Sequence, residues 1–233
     1  LFRSGLFSTL SVFSCPRQGV RVEHRKVAGL PAEYLSCPGN RSDTIIFYIH
    51  GGSYVAGSAA ARHWLTGTLA ARLHDVCAVN YRLAPEHPYP AAIDDCYTAY
   101  RAVARDYRNV ILLGESAGAT LVLLVAQRAR DEGLRQPAAI VSLSPIGQMR
   151  EELPSYAANE ATDCMLRRDS FAEIRDSYLQ GQDITRLPYA EPLHAGLHGL
   201  APTFISATET EVLLDDALLL TREMKEAGVD VTL

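Results

Sequence analysis

Long apolar runs are missing from this 233-residue chain. The most continuous, such as residues 121–126, fall far short of the ~20 residues that a membrane-spanning helix needs. An excess of positive charge is missing too. Twenty-two Lys and Arg stand against 27 Asp and Glu, a formal net charge of −5. That leaves no electrostatic footprint for nucleic acid or an anionic membrane surface. Cysteine is sparse: Cys15, Cys37, Cys77, Cys96 and Cys164 are odd in number, scattered, and without a Cys-x-x-Cys pair. Neither a disulfide framework nor a metal site is expected, and free thiols in a reducing, cytoplasmic setting fit better. Repeats and low-complexity tracts are absent as well. What is present, 48% hydrophobic and 21% charged residues, is an ordinary balance for one globular domain with a sizeable core.

Along the chain, short apolar runs alternate with amphipathic stretches. Residues 20–26 and 32–36 read as a hairpin, and residues 44–49, 76–80, 110–113, 138–143, 202–207 and 229–233 as strands. Helices are expected over residues 59–73, 91–104, 117–131 and 212–227. Strands that are continuous apolar runs, each followed by a helix, imply an α/β fold with a mostly parallel central sheet covered on both faces. The alternation breaks over residues 144–199, where a helix near 168–179 is expected but no buried strand. The division expected is a core of residues 20–146 and 183–233, a small helical cap inserted at 147–182, and an N-terminal part of the cap at 1–19. Residues 1–13 read as an amphipathic helix whose start has been cut off, since the chain begins at Leu1. Trp64, the single tryptophan, is expected in the core.

One stretch carries most of the chemistry. Gly114-Glu115-Ser116-Ala117-Gly118 lies between an apolar strand and a helix. A Gly-x-Ser-x-Gly in that setting is a nucleophile elbow, a turn so sharp that the serine is strained and the flanking positions have no room for a Cβ. All loops leaving a parallel sheet emerge on one side. The loops at 50–54, 114–118 and 207–216 should therefore converge. A serine nucleophile needs backbone N–H groups aimed at the developing oxyanion. Gly51 and Gly52, which let the backbone come close, and Ala117, first in the elbow helix, are the candidates. His50 is expected to hold the oxyanion loop by hydrogen bonds and not to titrate. Asp94 and Asp95 have two readings: a tie between the proline-rich loop and the oxyanion loop, or an acidic first helical turn.

His50-Gly51-Gly52-Ser53-Tyr54, the run from Tyr81 to Ala92 (YRLAPEHPYPAA) with Asp94-Asp95, and Gly114 to Gly118 together resemble the hormone-sensitive-lipase-like α/β-hydrolases, the bacterial family IV esterases. The resemblance covers the chain from about Val20 onward. It implies an α/β-hydrolase fold and a serine carboxylesterase of short-chain acyl or aryl esters. No cofactor or metal is needed, the partner is a small-molecule ester, and pairing as a homodimer is possible. The sequence departs from the family pattern at Ser53, where a third glycine is usual, and at Glu115, where aspartate is common. Ser53, Tyr54 and Glu115 are expected to contact substrate. The family's acidic position falls on Glu211, with Glu209, Asp215 and Asp216 as rivals; the last two read as helix-face residues. Amidase or deacetylase activity on the same scaffold stays open.

The family order is serine, acid, histidine. None of the seven histidines, His24, His50, His63, His74, His87, His194 and His198, follows Glu211. His194 and His198 precede the seventh strand and should lie at the far end of the sheet from Ser116. Two expectations follow. Either the chain is a fragment cut before the catalytic histidine and is inactive as given, or it is a non-catalytic small-molecule receptor, as the related plant gibberellin receptors are.

Overall fold

The computed structural model describes residues 15–40, 43–149 and 153–233. Its centre is one eight-stranded sheet in the order β1-β2-β4-β3-β5-β6-β7-β8. The strands are β1 Arg21–Val27, β2 Leu30–Ser36, β3 Thr44–Ile49, β4 Val76–Val79, β5 Asn109–Glu115, β6 Ala139–Leu143, β7 Thr203–Ser206 and β8 Val231–Thr232. β1 and β2 form the expected hairpin, which joins β4 antiparallel. From β4 to β8 every pairing is parallel. The expected helices are present as α1 His63–Arg72, α2 Ala91–Asp106, α3 Ala117–Asp131 and α6 Leu214–Glu226. α1 is preceded by a 3-10 turn, Ala60–Arg62, so the single helix expected over 59–73 is split.

β4, and β3 from Ile45 to Ile49, are buried on both sides because helices cover both faces. Ile45, Phe47 and Ile49 of β3 point into the larger core with α2 and α3. Ile46 and Tyr48 point into a smaller one that includes Ala59 and Ala70. This two-sided burial is why β3 reads as an unbroken apolar run and not as an alternation. The middle of α3 is buried all round, with Leu121 to Ala126 each fully buried. Trp64 departs from expectation: it is 63% exposed on α1, not in the core. Helix position 64 faces outward, and the face carrying Thr66, Gly67 and Ala70 packs inward.

Between β6 and β7 lies a helical cap with α4 Pro154–Ala158 and α5 Ser170–Leu179. As anticipated, no strand interrupts the described residues of this segment. Tyr156 stacks on Phe171, and Tyr178 on Tyr54. The expected N-terminal helix over 1–13 lies outside the described residues. Among the described residues no helix is long and apolar enough to cross a membrane.

Candidate active site

The carboxyl ends of β3, β5, β6 and β7 open onto a cleft of about 630 Å3. Gly52, Ser53, Glu115, Ser116, Ser144 and Glu211 all line it. Three loops far apart in sequence thus meet because a parallel sheet sends them out of one edge.

β5 leads straight into Ser116, whose φ of 55° and ψ of −125° lie where a residue with a Cβ is strained. Such a conformation costs on the order of 1–3 kcal/mol and persists only where neighbours enforce it. Here they do. The Ser116 N–H donates to Leu143 O at 2.8 Å, and Ser116 O accepts from Thr120 N at 3.1 Å. The flanking glycines are required by contact, as the motif implies. A Cβ at 114 would sit 2.3 Å from Gly118 O, and one at 118 would sit 2.1 Å from Ile49 O. Ala117 opens α3, so its N–H belongs to the first helical turn, where amides lack intrahelical acceptors.

The loop after β3 carries three successive residues at positive φ: Gly52 at 124°, Ser53 at 56° and Tyr54 at 62°. Ser53 keeps the left-handed backbone although it has a side chain. Gly52 O accepts from Val55 N and Ala56 N, and Tyr54 O accepts from Ala84 N. His50 anchors the start of this loop. Its Nδ1 donates to Gly51 O at 2.8 Å, its ring stacks on Tyr81, and Tyr81 Oη donates to His50 O. Complete burial pushes its pKa down to about 4, so the imidazole is neutral at pH 7.

Glu115 reaches under the same loop. Its Oε1 accepts from Tyr48 Oη at 2.9 Å and from Arg62 Nε at 2.6 Å. A Cβ at Gly51 would lie 2.0 Å from Glu115 Oε2, so the glutamate packs directly against the glycine backbone. Arg62 therefore belongs to the site, although nothing in its local sequence marks it. Asp95 is not bonded to the 50–54 loop itself. It grips Arg82, taking hydrogen bonds from the backbone N–H and the guanidinium, beside the Tyr81 that holds His50. Asp94 pairs with Arg128 instead.

Glu211 sits across the cleft. Its Oε1 accepts from Ser144 Oγ at 3.0 Å and from Thr208 N at 2.8 Å. Of the substrate-contact candidates, Ser53 and Glu115 line the cleft, but Tyr54 does not. Tyr54 is fully buried and stacked on Tyr178. Asp215 and Asp216 are not simple helix-face residues. Asp215 accepts from Ser155 N, and Asp216 is completely buried, accepting from Gly147 N and Tyr156 Oη at 2.8 Å each. Met165, Leu166 and Leu213 supply apolar lining. Among the described residues no histidine lines the cleft. His63 binds Glu33, and His198 O accepts from Arg130 in the last turn of α3, the end opposite Ser116. Among the described residues no group of three or more His, Cys, Asp or Glu could hold a metal ion.

Known proteins share this architecture. A family model described as the alpha/beta hydrolase fold matches residues 46–233. An acetyl-hydrolase of Streptomyces hygroscopicus is 37% identical over 199 residues, 84% of this chain and 66% of its own length. Carboxylesterase NlhH of Mycobacterium tuberculosis is 36% identical over 207 residues, 81% of this chain and 63% of its own. The chain thus spans about two thirds of the length of these curated relatives. The crystal structure of an esterase from the bacterial hormone-sensitive lipase family superposes with a TM-score of 0.91 at 36% identity, covering 97% of this chain and 77% of that one. A hormone-sensitive lipase from a metagenome library gives 0.92 at 32%, covering 98% and 77%. By its sheet order, its strained serine turn and these similarities, the chain belongs to the α/β-hydrolase fold family, in the bacterial hormone-sensitive-lipase-like branch.

Proposed function

We propose that this protein is a serine carboxylesterase acting on short-chain acyl or aryl esters. The observation that carries the reading is the meeting of Ser116, the Gly52–Ser53 loop and Glu211 around one cleft. Ser116 Oγ attacks the ester carbonyl. The N–H groups of Gly51, Gly52 and Ala117 stabilise the oxyanion, and water then hydrolyses the acyl-enzyme. The positive-φ run at 52–54 supports this role, since successive left-handed residues are the kind of backbone from which anion-binding concavities are built. Glu211 orients the histidine that serves as base and stabilises the imidazolium formed when that histidine takes the Ser116 proton.

That base is a histidine from outside these 233 residues. The reason is that none of the seven present lines the cleft. The isolated chain then hydrolyses esters slowly, retaining about 10³–10⁴-fold acceleration over water from its oxyanion donors and binding. A cleft without its base also favours the receptor reading, in which a small ligand binds and is not turned over. The test is a fluorophosphonate probe and p-nitrophenyl butyrate, applied to the chain alone and to a longer protein carrying it. Strong labelling of Ser116 and turnover in the longer protein support the esterase. Tight ligand binding with no labelling in either overturns it.

A further inference from the structure

The loop carrying Glu211 has no regular secondary structure, yet the peptide groups around it are bonded to one short stretch of the cap. Asn159 Nδ2 donates to Glu209 O at 3.0 Å and to Glu211 O at 2.9 Å. Thr162 Oγ1 donates to Thr210 O at 2.9 Å. The Val212 N–H donates to Asp163 Oδ2 at 2.9 Å. These cap residues form a single turn, in which Asn159 O accepts from both Thr162 N and Asp163 N. Its base is pinned to the core, because Ser155 Oγ donates to Val212 O at 2.6 Å and Ser155 N donates to Asp215. The core itself holds Glu211 by the carboxylate, through Ser144 Oγ and Thr208 N. The main chain has its own turn bonds, from Glu211 N to Thr208 O and from Leu214 N to Glu211 O, and the cap adds those above.

We propose that Asn159 and Asp163 are positioning residues for Glu211, so that the cap sets the geometry of the acid as well as the shape of the cleft. The inference rests on the esterase reading above. Asp163 links the two tasks in one side chain. Its Oδ2 receives Val212 N, while its Oδ1 receives Met165 N at 2.7 Å and Leu166 N at 2.9 Å, two residues that line the cleft. Both oxygens accept backbone N–H groups, and only a carboxylate can do that. Asn159 donates both amide hydrogens to carbonyls, which the isosteric carboxylate of aspartate has no N–H groups to do. Both positions are therefore chemically specified beyond their size. Releasing them frees the loop to shift on the scale of about 1 Å, and a misplacement of that size costs about 10²-fold in turnover.

The test uses isosteric swaps in the full-length protein with p-nitrophenyl acetate as substrate. Asn159→Asp sets a carboxylate against two carbonyls, and Asp163→Asn sets an NH2 against an N–H. Each is expected to lower kcat by about 10–100-fold while KM changes less than about threefold. A misdirected Glu211 stabilises the imidazolium less, so the acid limb of the pH–rate profile should move to lower pH. Placed in a Glu211→Gln background, each swap should cost less than about twofold more, because its effect runs through Glu211. If Asp163→Asn fails to fold, Asn159→Asp and the milder Thr162→Val carry the same cycle. Wild-type kcat in the swaps, or losses that multiply in the Gln background, would overturn the positioning role. Near-normal turnover of Glu211→Gln alone would instead overturn the acid assignment, and this inference with it.

Discussion

Gly118→Ala separates local preference from tertiary contact, because the two predict opposite signs. Gly118 is the second residue of α3 and has no positive φ, so its backbone suits alanine. Helix propensity alone makes the substitution stabilising by about 1 kcal/mol. The packing says otherwise. The new Cβ would lie 2.1 Å from Ile49 O and 2.7 Å from His50 O. An ordinary carbon–oxygen contact is about 3.3 Å or longer, so the elbow and the end of β3 must part by about 1 Å. Neither neighbour is a flexible side-chain tip. Both are backbone oxygens at the point where β3 gives way to the 50–54 loop. Overpacking of this kind costs about 3 kcal/mol or more. Set against the helix gain, the net loss is about 2 kcal/mol, or roughly 4–8 °C in Tm for a domain of this size. The same displacement opens the distance between Ser116 and the Gly51–Gly52 amides, so turnover should fall about 10²-fold or more. Thermal or urea unfolding and p-nitrophenyl butyrate hydrolysis read the two effects. A variant with unchanged or raised stability and near-normal turnover would refute the contact argument.

Three further outcomes follow from the site. Arg62→Ala strips the guanidinium from Glu115, leaving a largely buried carboxylate with Tyr48 alone, and should cost about 1.5–3 kcal/mol in urea unfolding; a change below about 0.5 kcal/mol would count against that ion pair. His50→Asn tests the buried imidazole: its pKa is pushed below the unfolded value by burial, so the unfolded state binds more protons between about pH 4 and 6.5 and stability falls as pH falls through that range. Unfolding free energies measured from pH 4.5 to 7.5 should lose that slope in the variant, relative to the native protein, and an unaltered slope would refute it. Asp216 behaves in the opposite sense. Burial raises its carboxyl pKa to about 7, against the hydrogen bonds from Tyr156, Gly147 and Gln148 and with the nearby Asp215 charge adding to the rise. The folded state therefore holds the proton that the unfolded state has released, and stability falls as pH rises from about 4 through 7. Relative to the native protein, Asp216→Asn should lose less stability between pH 5 and pH 8; a difference between the two pH values unchanged from the native protein's would show that Asp216 is ionised throughout.

The alternation of apolar runs and amphipathic stretches was enough to read the sheet and its helices, because two-sided burial leaves a local pattern in each strand. The elbow was legible for a related reason. The need for glycine at 114 and 118 comes from close backbone approach, and it shows in the sequence as the absence of side chains. Trp64 lies outside the core against expectation because one aromatic residue says nothing about which face of a helix it occupies. Tyr54 follows a cleft-lining residue yet turns into the core, because positive φ at 53 and 54 reverses the expected direction of the side chain.

By itself the sequence determined the fold class, the serine turn and the loops that converge on it, since each depends on residues close together in the chain. Tertiary structure alone decided which groups surround them. Arg62 reaches Glu115 across 53 residues of sequence, Ser144 reaches Glu211 across 67, and Asn159 holds the Glu211 carbonyl from 52 residues away. Hydrogen bonds between distant segments leave no periodicity behind, and an asparagine or arginine that makes one looks the same in sequence as one on a solvated surface.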